Sequence, residues 1–377
     1  MMRMKSSVCF DDVLLVPKYS SIKSRKDVDL SVKMNNLRWT PHLPIISSPM
    51  DTVTEALMAI YMLRTGGLGI IHRYNSIDEQ AAIVAEVSET LLMENHSAIN
   101  AIAAAVGVSG DYINRAKALY AAGARILCVD IAHGHHILMK TALQELRNIF
   151  GNTVHLMAGN VATLDAFNDL ADWGADSIRV GIGGGSICST RVQTGHGMPT
   201  LQSVIDCSNT DRDALIIADG GIRTSGDIVK ALAAGADFIM IGSLLSGTDE
   251  TPGEVYTESP DFPADINYTA SINEQGLAEY IEHTHDPVRR YKKYRGMASK
   301  EAQVEWRGYQ SSEEGVSTTV DYKGPAAMII DSLETGIRSG LSYSGVMTIA
   351  ELHASATFTK QTYSGVSESS THIFDER

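Results

Sequence analysis

Cysteine is scarce in this chain of 377 residues: Cys9, Cys128, Cys188 and Cys207 are scattered, with no CxxC pair among them. That spacing excludes a disulfide framework and a CxxC metal site. Cationic side chains are outnumbered, 31 Lys and Arg against 45 Asp and Glu, for a formal net charge of -14. A surface of that sign repels polyanions, so neither nucleic acid nor an anionic membrane is an expected partner, while a local phosphate pocket stays allowed. Long apolar runs are missing too. None approaches the roughly 20 residues that cross a bilayer, and Met1 to Ser7 ahead of Phe10-Asp11-Asp12 lacks the apolar core of a secretion signal. A cytoplasmic protein is expected.

What is present is an ordinary globular composition, 44% hydrophobic and 20% charged. Residues 1–40 read as an entry segment, with a short apolar run from Cys9 to Pro17 and a basic stretch from Lys18 to Lys26. A regular alternation of strands and helices then begins. Strands are expected at Pro44–Ser48, Gly69–His72, within the Ala/Val-rich run Ile99–Val108, and at Arg125–Asp130 and Val154–Ala158. Three more follow, entering Gly181 and at Ala214–Ala218 and Phe238–Ile241. The helices between them include one capped by Asp51 or Thr52, one from Ser76 to about Ser88, and others near 111–122, 137–150, 164–173, 201–207 and 225–234. Cys128 lies in an apolar run and is expected to be buried packing.

Strands that are apolar throughout point to a parallel sheet covered on its outer face. Eight such units predict a (β/α)8 TIM barrel. A doubly wound open sheet is the competing fold, but it accounts less well for glycine loops after both the seventh and eighth strands. In a barrel, chemistry sits on loops after the strand C-termini. Those loops carry Ser48 to Met50, Asp130, Asn160, Gly181 to Thr190, Asp219 to Gly221 and Gly242-Ser243.

The sixth of these loops is the richest. In S-I-R-V-G-I-G-G-G-S-I-C-S-T-R, a β-branched run enters a glycine turn that delivers Ser186, Cys188 and Thr190 at alternate positions. Backbone N–H groups of such a turn can converge on an anion, and the cysteine beyond them is a candidate nucleophile. Alone, the stretch reads better as a glycine turn with a buried thiol. Together with Asp219-Gly220-Gly221 and Gly242-Ser243, it could surround one phosphate monoester, while the Asp219 carboxylate suits a ribose diol. A nucleoside monophosphate satisfies both demands. Thr190 is a weak acid that needs a base, available as Glu313 or Glu314 only if the Y-K-K-Y-R-G-M segment folds back. His133, His135 and His136 make a poor metal set; one of them near a cofactor is the better reading.

The motifs F-D-D-V-L-L-V-P (Phe10 to Pro17), S-S-P-M-D-T-V-T-E-A, V-G-I-G-G-G-S-I-C-S-T-R, I-A-D-G-G-I-R, Y-R-G-M and E-E-G-V occur in that order, ahead of a tail with Ser367-Glu368-Ser369. On them the chain resembles the IMP dehydrogenase and GMP reductase family over nearly its full length. The resemblance implies one catalytic barrel domain over 1–377, with a finger-like excursion at 247–293, a flap at 298–314 and no CBS regulatory module. It implies a homotetramer, with a higher assembly also open, acting on a purine mononucleotide, GMP or IMP, with NADPH or NAD. By position, Cys188 is the nucleophile that adds to purine C2, and Thr190 and Glu314 are the acid/base pair. Asp219 holds the ribose, with Ser48 and Gly220 in the substrate set. Ser186, Gly221, Gly242, Ser243 and Tyr294 hold phosphate, and Met50, Gly296 and Met297 flank the base. Asp130 and Asn160 lie on the cofactor side. Gly181, Gly183 and Cys188, with Glu368 from a neighbouring subunit, match the family's monovalent-cation (K+) site.

The family runs two opposed reactions, oxidation of IMP with NAD and reduction of GMP with NADPH. The resemblance gives a dehydrogenase a mobile flap whose adjacent Arg-Tyr pair activates water. Here the segment between Met297 and Glu314 is short and offers Arg307-Gly308-Tyr309. On a strand, i and i+2 share a face, so this triplet could imitate the pair. The short flap favours GMP reductase; S-S-P-M-D-T-V-T-E-A and the serine-rich tail favour IMP dehydrogenase. A nucleotide-binding protein without turnover is the third expectation. Pro325 to Arg338 is expected to be the closing barrel helix, the polar tail from Gln361 to Arg377 to be extended, Asp261 to Glu282 to be a solvated loop, and the Gly253 to Arg290 excursion to offer a subunit contact.

Overall fold

Fully apolar strands have no face to give to water, and in the computed structural model they close on themselves. The model describes residues 6–258, 266–272, 278–284, 288–310 and 313–369. Eight strands form a closed parallel barrel, in the order Ile45–Ser47, Leu68–Ile71, Ala103–Val106, Ile126–Asp130, His155–Val161, Ser177–Val180, Leu215–Asp219 and Phe238–Ile241. The first strand pairs with both the second (Ile46 opposite Leu68) and the eighth (Ile46 opposite Met240), which completes the ring. The protein is therefore a (β/α)8 TIM barrel, and an open doubly wound sheet is ruled out. Cys128 is fully buried on the fourth strand, and burial pushes its thiol up to about 12.

Polar caps in the loops fix where helices begin. The Ser76 hydroxyl accepts from the Glu79 amide at 3.2 Å while the Glu79 carboxylate accepts from the Ser76 amide at 2.8 Å, a reciprocal cap on helix Ile77–Met93. Thr163 and Thr224 cap helices Leu164–Asp172 and Ser225–Ala233 with their hydroxyls. Three expected boundaries differ. The first helix is Ala56–Arg64 and is capped by neither Asp51 nor Thr52, because the Asp51 carboxylate is taken by the Arg295 guanidinium and the Thr52 hydroxyl accepts from the Arg295 amide at 3.3 Å. The second helix runs past Ser88 to Met93, since Leu91 continues its buried stripe. The closing helix is Ala326–Tyr343, longer than its expected end at Arg338.

One mouth of the barrel is plugged by the entry segment. Leu30, Met34, Trp39 and Leu43 are buried, and His155 and Asp176, at the N-terminal ends of the fifth and sixth strands, bond the Asn35 carbonyl and the Asn36 amide. Val13–Leu15 of this segment pairs antiparallel with Phe358–Lys360. The tail is not wholly extended: Thr362 caps a short helix, Tyr363–Glu368.

After the eighth strand, Tyr256–Glu258, Arg289–Arg295 and Ser317–Asp321 form a three-stranded antiparallel sheet. Lys292 clips it to the rim, its buried ammonium donating to the carbonyls of Thr248 and Thr251 at 3.0 and 2.6 Å. The finger-like excursion contains an antiparallel pair, Ile266–Ile272 with Ala278–Thr284. That pair replaces the expected solvated loop over Asp261–Glu282; residues 259–265, 273–277 and 285–287 lie outside the described residues.

Candidate active site

The site is assembled at the other mouth, where the strand C-termini end. Along the sixth strand, Ile178 and Val180 alternate with Ser177 and Arg179, and all four are buried. A charged residue there needs partners, because an unpaired buried charge costs several kcal/mol, about 3–5 when one member of a pair is removed. Arg179 has them: Nη1 lies 2.5 Å from Asp130 Oδ1, and Nε and Nη2 lie 3.1 and 2.9 Å from Asp219 Oδ2. Asn160 Nδ2 donates to the same Asp219 oxygen at 2.8 Å and to the Gly181 carbonyl at 2.9 Å. Glycine makes this crossing possible. A Cβ on Gly159 would sit 2.5 Å from Arg179 Cβ, and one on Gly181, at φ +152°, would sit 1.9 Å from the Asp219 carbonyl oxygen.

Beyond Gly181 the chain turns and is held from above. Residues 187–189 pair with 314–316: Ser189 N donates to the Glu314 carbonyl at 3.0 Å and Val316 N to the Ile187 carbonyl at 3.0 Å. The Y-K-K-Y-R-G-M strand does fold back, and Glu314 is the carboxylate it delivers. Cys188 Sγ donates to Thr190 Oγ1 at 3.2 Å, and Thr190 Oγ1 donates to Glu314 Oε2 at 2.9 Å. The result is a continuous path for a proton from thiol to carboxylate.

These groups line a cavity of about 270 Å³. Its phosphate-compatible end gathers Ser186, Gly220, Gly221, Gly242 and Ser243 near Tyr294, whose hydroxyl lies close to the side chains of Ser186 and Ser243. Burial raises the Tyr294 phenol, so it stays a donor. Ser48 and Met50 lie beside Gly242 and line the cavity with Gly296 and Met297, Met297 Sδ accepting from the Asp51 amide at 3.3 Å. Asp130, Ile131, Ala132 and Asn160 extend the cavity past Asp219. Gly181, Gly183, Cys188, Thr190 and Glu314 also line it; Arg307, Tyr309 and Glu368 do not.

The Arg307-Gly308-Tyr309 expectation needs correcting. This stretch is not a strand: Arg307 ends the helix Lys300–Arg307, and Gly308 terminates it in the left-handed region at φ +78°. The Arg307 guanidinium lies 4.2 Å above the Trp306 ring, and Tyr309 is exposed. Glu368 sits in the short tail helix. Among the histidines, His135 pairs with Asp169 at 2.8 Å and His136 caps the helix Ile137–Phe150. The loop carrying them is pinned beside the cavity by the Gly134 amide, 2.7 Å from the Asn160 carbonyl.

Several residues that shape the site were not picked out in the sequence. Arg179 is one, and the signal for it was a lone charge inside an apolar strand. Arg295 is another: it binds Asp51 at 2.5 Å and Glu305 at 2.5 Å, tying the flap helix to the loop that carries Met50. Trp306 packs edge-on against Tyr74, ring centroids 5.0 Å apart, with the Arg73 guanidinium 4.9 Å from the Tyr74 ring. Burial pushes the Tyr74 phenol up to about 12.

Comparison with known proteins identifies the family and agrees with the fold. The model of the IMP dehydrogenase / GMP reductase domain matches residues 7–262 and 270–372. An inosine-5′-monophosphate dehydrogenase of Nitrosopumilus maritimus is 32% identical, over 98% of this chain and 99% of its own. A GMP reductase of Leishmania major is 31% identical, over 96% of each. The crystal structure of GMP reductase from Trypanosoma brucei in complex with guanosine 5′-monophosphate superposes with a TM-score of 0.83 at 29% identity, covering 98% of each chain. Matched along almost its whole length and built on the same barrel, the chain belongs to the IMP dehydrogenase/GMP reductase family of NAD(P)-dependent oxidoreductases, which bind purine mononucleotides.

Proposed function

We propose that this protein is a GMP reductase, converting GMP and NADPH to IMP, ammonia and NADP through a covalent Cys188 adduct at purine C2. The observation that carries the reading is the place of Arg307 and Tyr309. A dehydrogenase must hydrolyse its adduct and so needs a group beside Cys188 to activate water. Here the only Arg-x-Tyr of the flap stays outside the cavity, on a helix terminus and a surface residue. A reductase needs no such group. It needs a proton donor for the departing amine.

The Cys188–Thr190–Glu314 path supplies that donor. As the thiol adds to C2, its proton passes through the Thr190 hydroxyl to Glu314. Thr190 and Glu314 return it to the 2-amino group, which leaves as ammonia when the C2–N bond breaks. The phosphate rests on the Ser186, Gly221, Gly242, Ser243 and Tyr294 end, the ribose diol on Asp219, and the base between Met50 and Gly296-Met297. The nicotinamide cofactor fits the remaining space, where Ile131 and Ala132 offer an apolar wall and Asp130 and Asn160 offer polar groups for its carboxamide. When bound, it supplies the hydride that reduces C2; the C2–S bond then breaks, releasing IMP and the Cys188 thiolate, which takes a proton from solvent. A K+ ion held by the loop carbonyls of Gly181, Gly183 and Cys188, completed by Glu368 of the partner subunit in a tetramer, belongs to the same reading.

IMP dehydrogenase is the second reading, favoured by S-S-P-M-D-T-V-T-E-A around Ser48 and Met50 and by a dehydrogenase among the most similar relatives. One assay separates them. Purified protein given GMP and NADPH is expected to consume NADPH and release ammonia; turnover with IMP and NAD alone, yielding XMP, would reverse the assignment. Binding without either reaction would leave a nucleotide-binding protein.

A further inference from the structure

We infer that Arg179 is a positioning residue that couples the two ligand subsites, so that nucleotide and cofactor each tighten the other's binding. The inference rests on the reading that a ribose diol meets Asp219 and a nicotinamide cofactor lies beside Asp130. Its own basis is a buried bridge at the cavity wall, between the carboxylates of the two subsites. Arg179 is 7% exposed, on a barrel strand that cannot shift without breaking its ladder. Its two arms engage carboxylates from different strands, Asp130 from the fourth and Asp219 from the seventh.

The geometry leaves little slack. Asp219 Oδ2 accepts from Arg179 Nε, Arg179 Nη2 and Asn160 Nδ2, so Oδ1 is the oxygen left to the diol. A diol bound there fixes the carboxylate plane, which fixes the bidentate guanidinium and, through Nη1, the Asp130 carboxylate. On the far side, Arg73 limits Asp130 as well, with Nη2 donating to its backbone carbonyl at 3.0 Å and Nε 3.6 Å from Oδ2. The second ligand therefore meets an acceptor already ordered, and the ordering cost is met once for both. By linkage the effect is reciprocal. A lysine at 179 keeps the charge but has a single donor point, and it cannot hold both carboxylates in plane at once.

The test is a binding cycle in the Cys188→Ala background, where no covalent adduct can form. GMP and IMP affinities are measured by calorimetry without cofactor and with saturating NADP or NAD. About a fivefold or larger tightening is expected. In the added presence of Arg179→Lys the ratio is expected to fall to about one, although each ligand still binds alone. A merely structural arginine would weaken both ligands and leave the ratio in place, and that result overturns the inference. An affinity indifferent to cofactor in the Arg179 protein overturns it as well, with no need for the variant to fold. If neither nucleotide binds at all, the reading of the site falls and takes the inference with it.

Discussion

The Thr190 hydroxyl donates to the Glu314 carboxylate at 2.9 Å across two segments separated by 124 positions in the chain. In the GMP reductase proposed above, removing either end of that bond should stop proton transfer while leaving the proposed phosphate, ribose and base contacts intact. Thr190→Ala and Glu314→Gln are each expected to lower kcat by about 10²–10⁴-fold, with nucleotide Kd changed only slightly. Stopped-flow NADPH oxidation beside calorimetric GMP binding checks both halves.

Arg295 joins Asp51 of the barrel to Glu305 of the flap helix. Arg295→Met leaves the largely buried Asp51 carboxylate without its cation. After a discount for partial exposure, about 1–3 kcal/mol of stability should be lost. Glu305→Gln breaks only the outer arm. It should leave the melting temperature nearly unchanged while making 298–310 a site of faster limited proteolysis.

His155 is buried, one ring nitrogen on the Asn35 carbonyl and the other 2.8 Å from Ser177 Oγ, and burial depresses its pKa below 6.5. The unfolded chain takes up a proton that the folded chain refuses. This contribution is complete above about pH 6.5 and is lost as pH falls from there toward the folded-state value. Melting temperatures between pH 7.5 and 5 should decline on the acid side, and His155→Gln should flatten part of that slope.

Gly181→Ala would drive a methyl group into the Asp219 carbonyl, 1.9 Å away on the present backbone. The loop must move, carrying Cys188 out of line with Thr190. Loss of more than about 100-fold in kcat/KM is expected, with far-UV circular dichroism retained because the barrel strands themselves are untouched.

The barrel was legible because its strands are mostly apolar and most of its helices have a polar residue just ahead of them. Phe238–Ile241 was placed to the residue, and Ser76 marked its helix correctly. What escaped were features set by tertiary partners. Asp51 looks like a helix cap until Arg295, 244 residues later, takes its carboxylate. Arg307-Gly308-Tyr309 has the spacing of a strand face, yet Ser299 caps a helix upstream and Gly308 ends it. The cavity residues were found through family motifs more than through pattern, and Arg179, outside the residues assigned from them, is visible only once the strands are side by side.

The pairing of 187–189 with 314–316 has a consequence for timing. Glu314 reaches Thr190 from the same strand that roofs Cys188. Lifting that roof to exchange one nucleotide for another would withdraw the proton acceptor in the same motion. The thiol would then be accessible while unarmed and armed only while enclosed, so bulk electrophiles would meet a quiet cysteine and the nucleotide a reactive one.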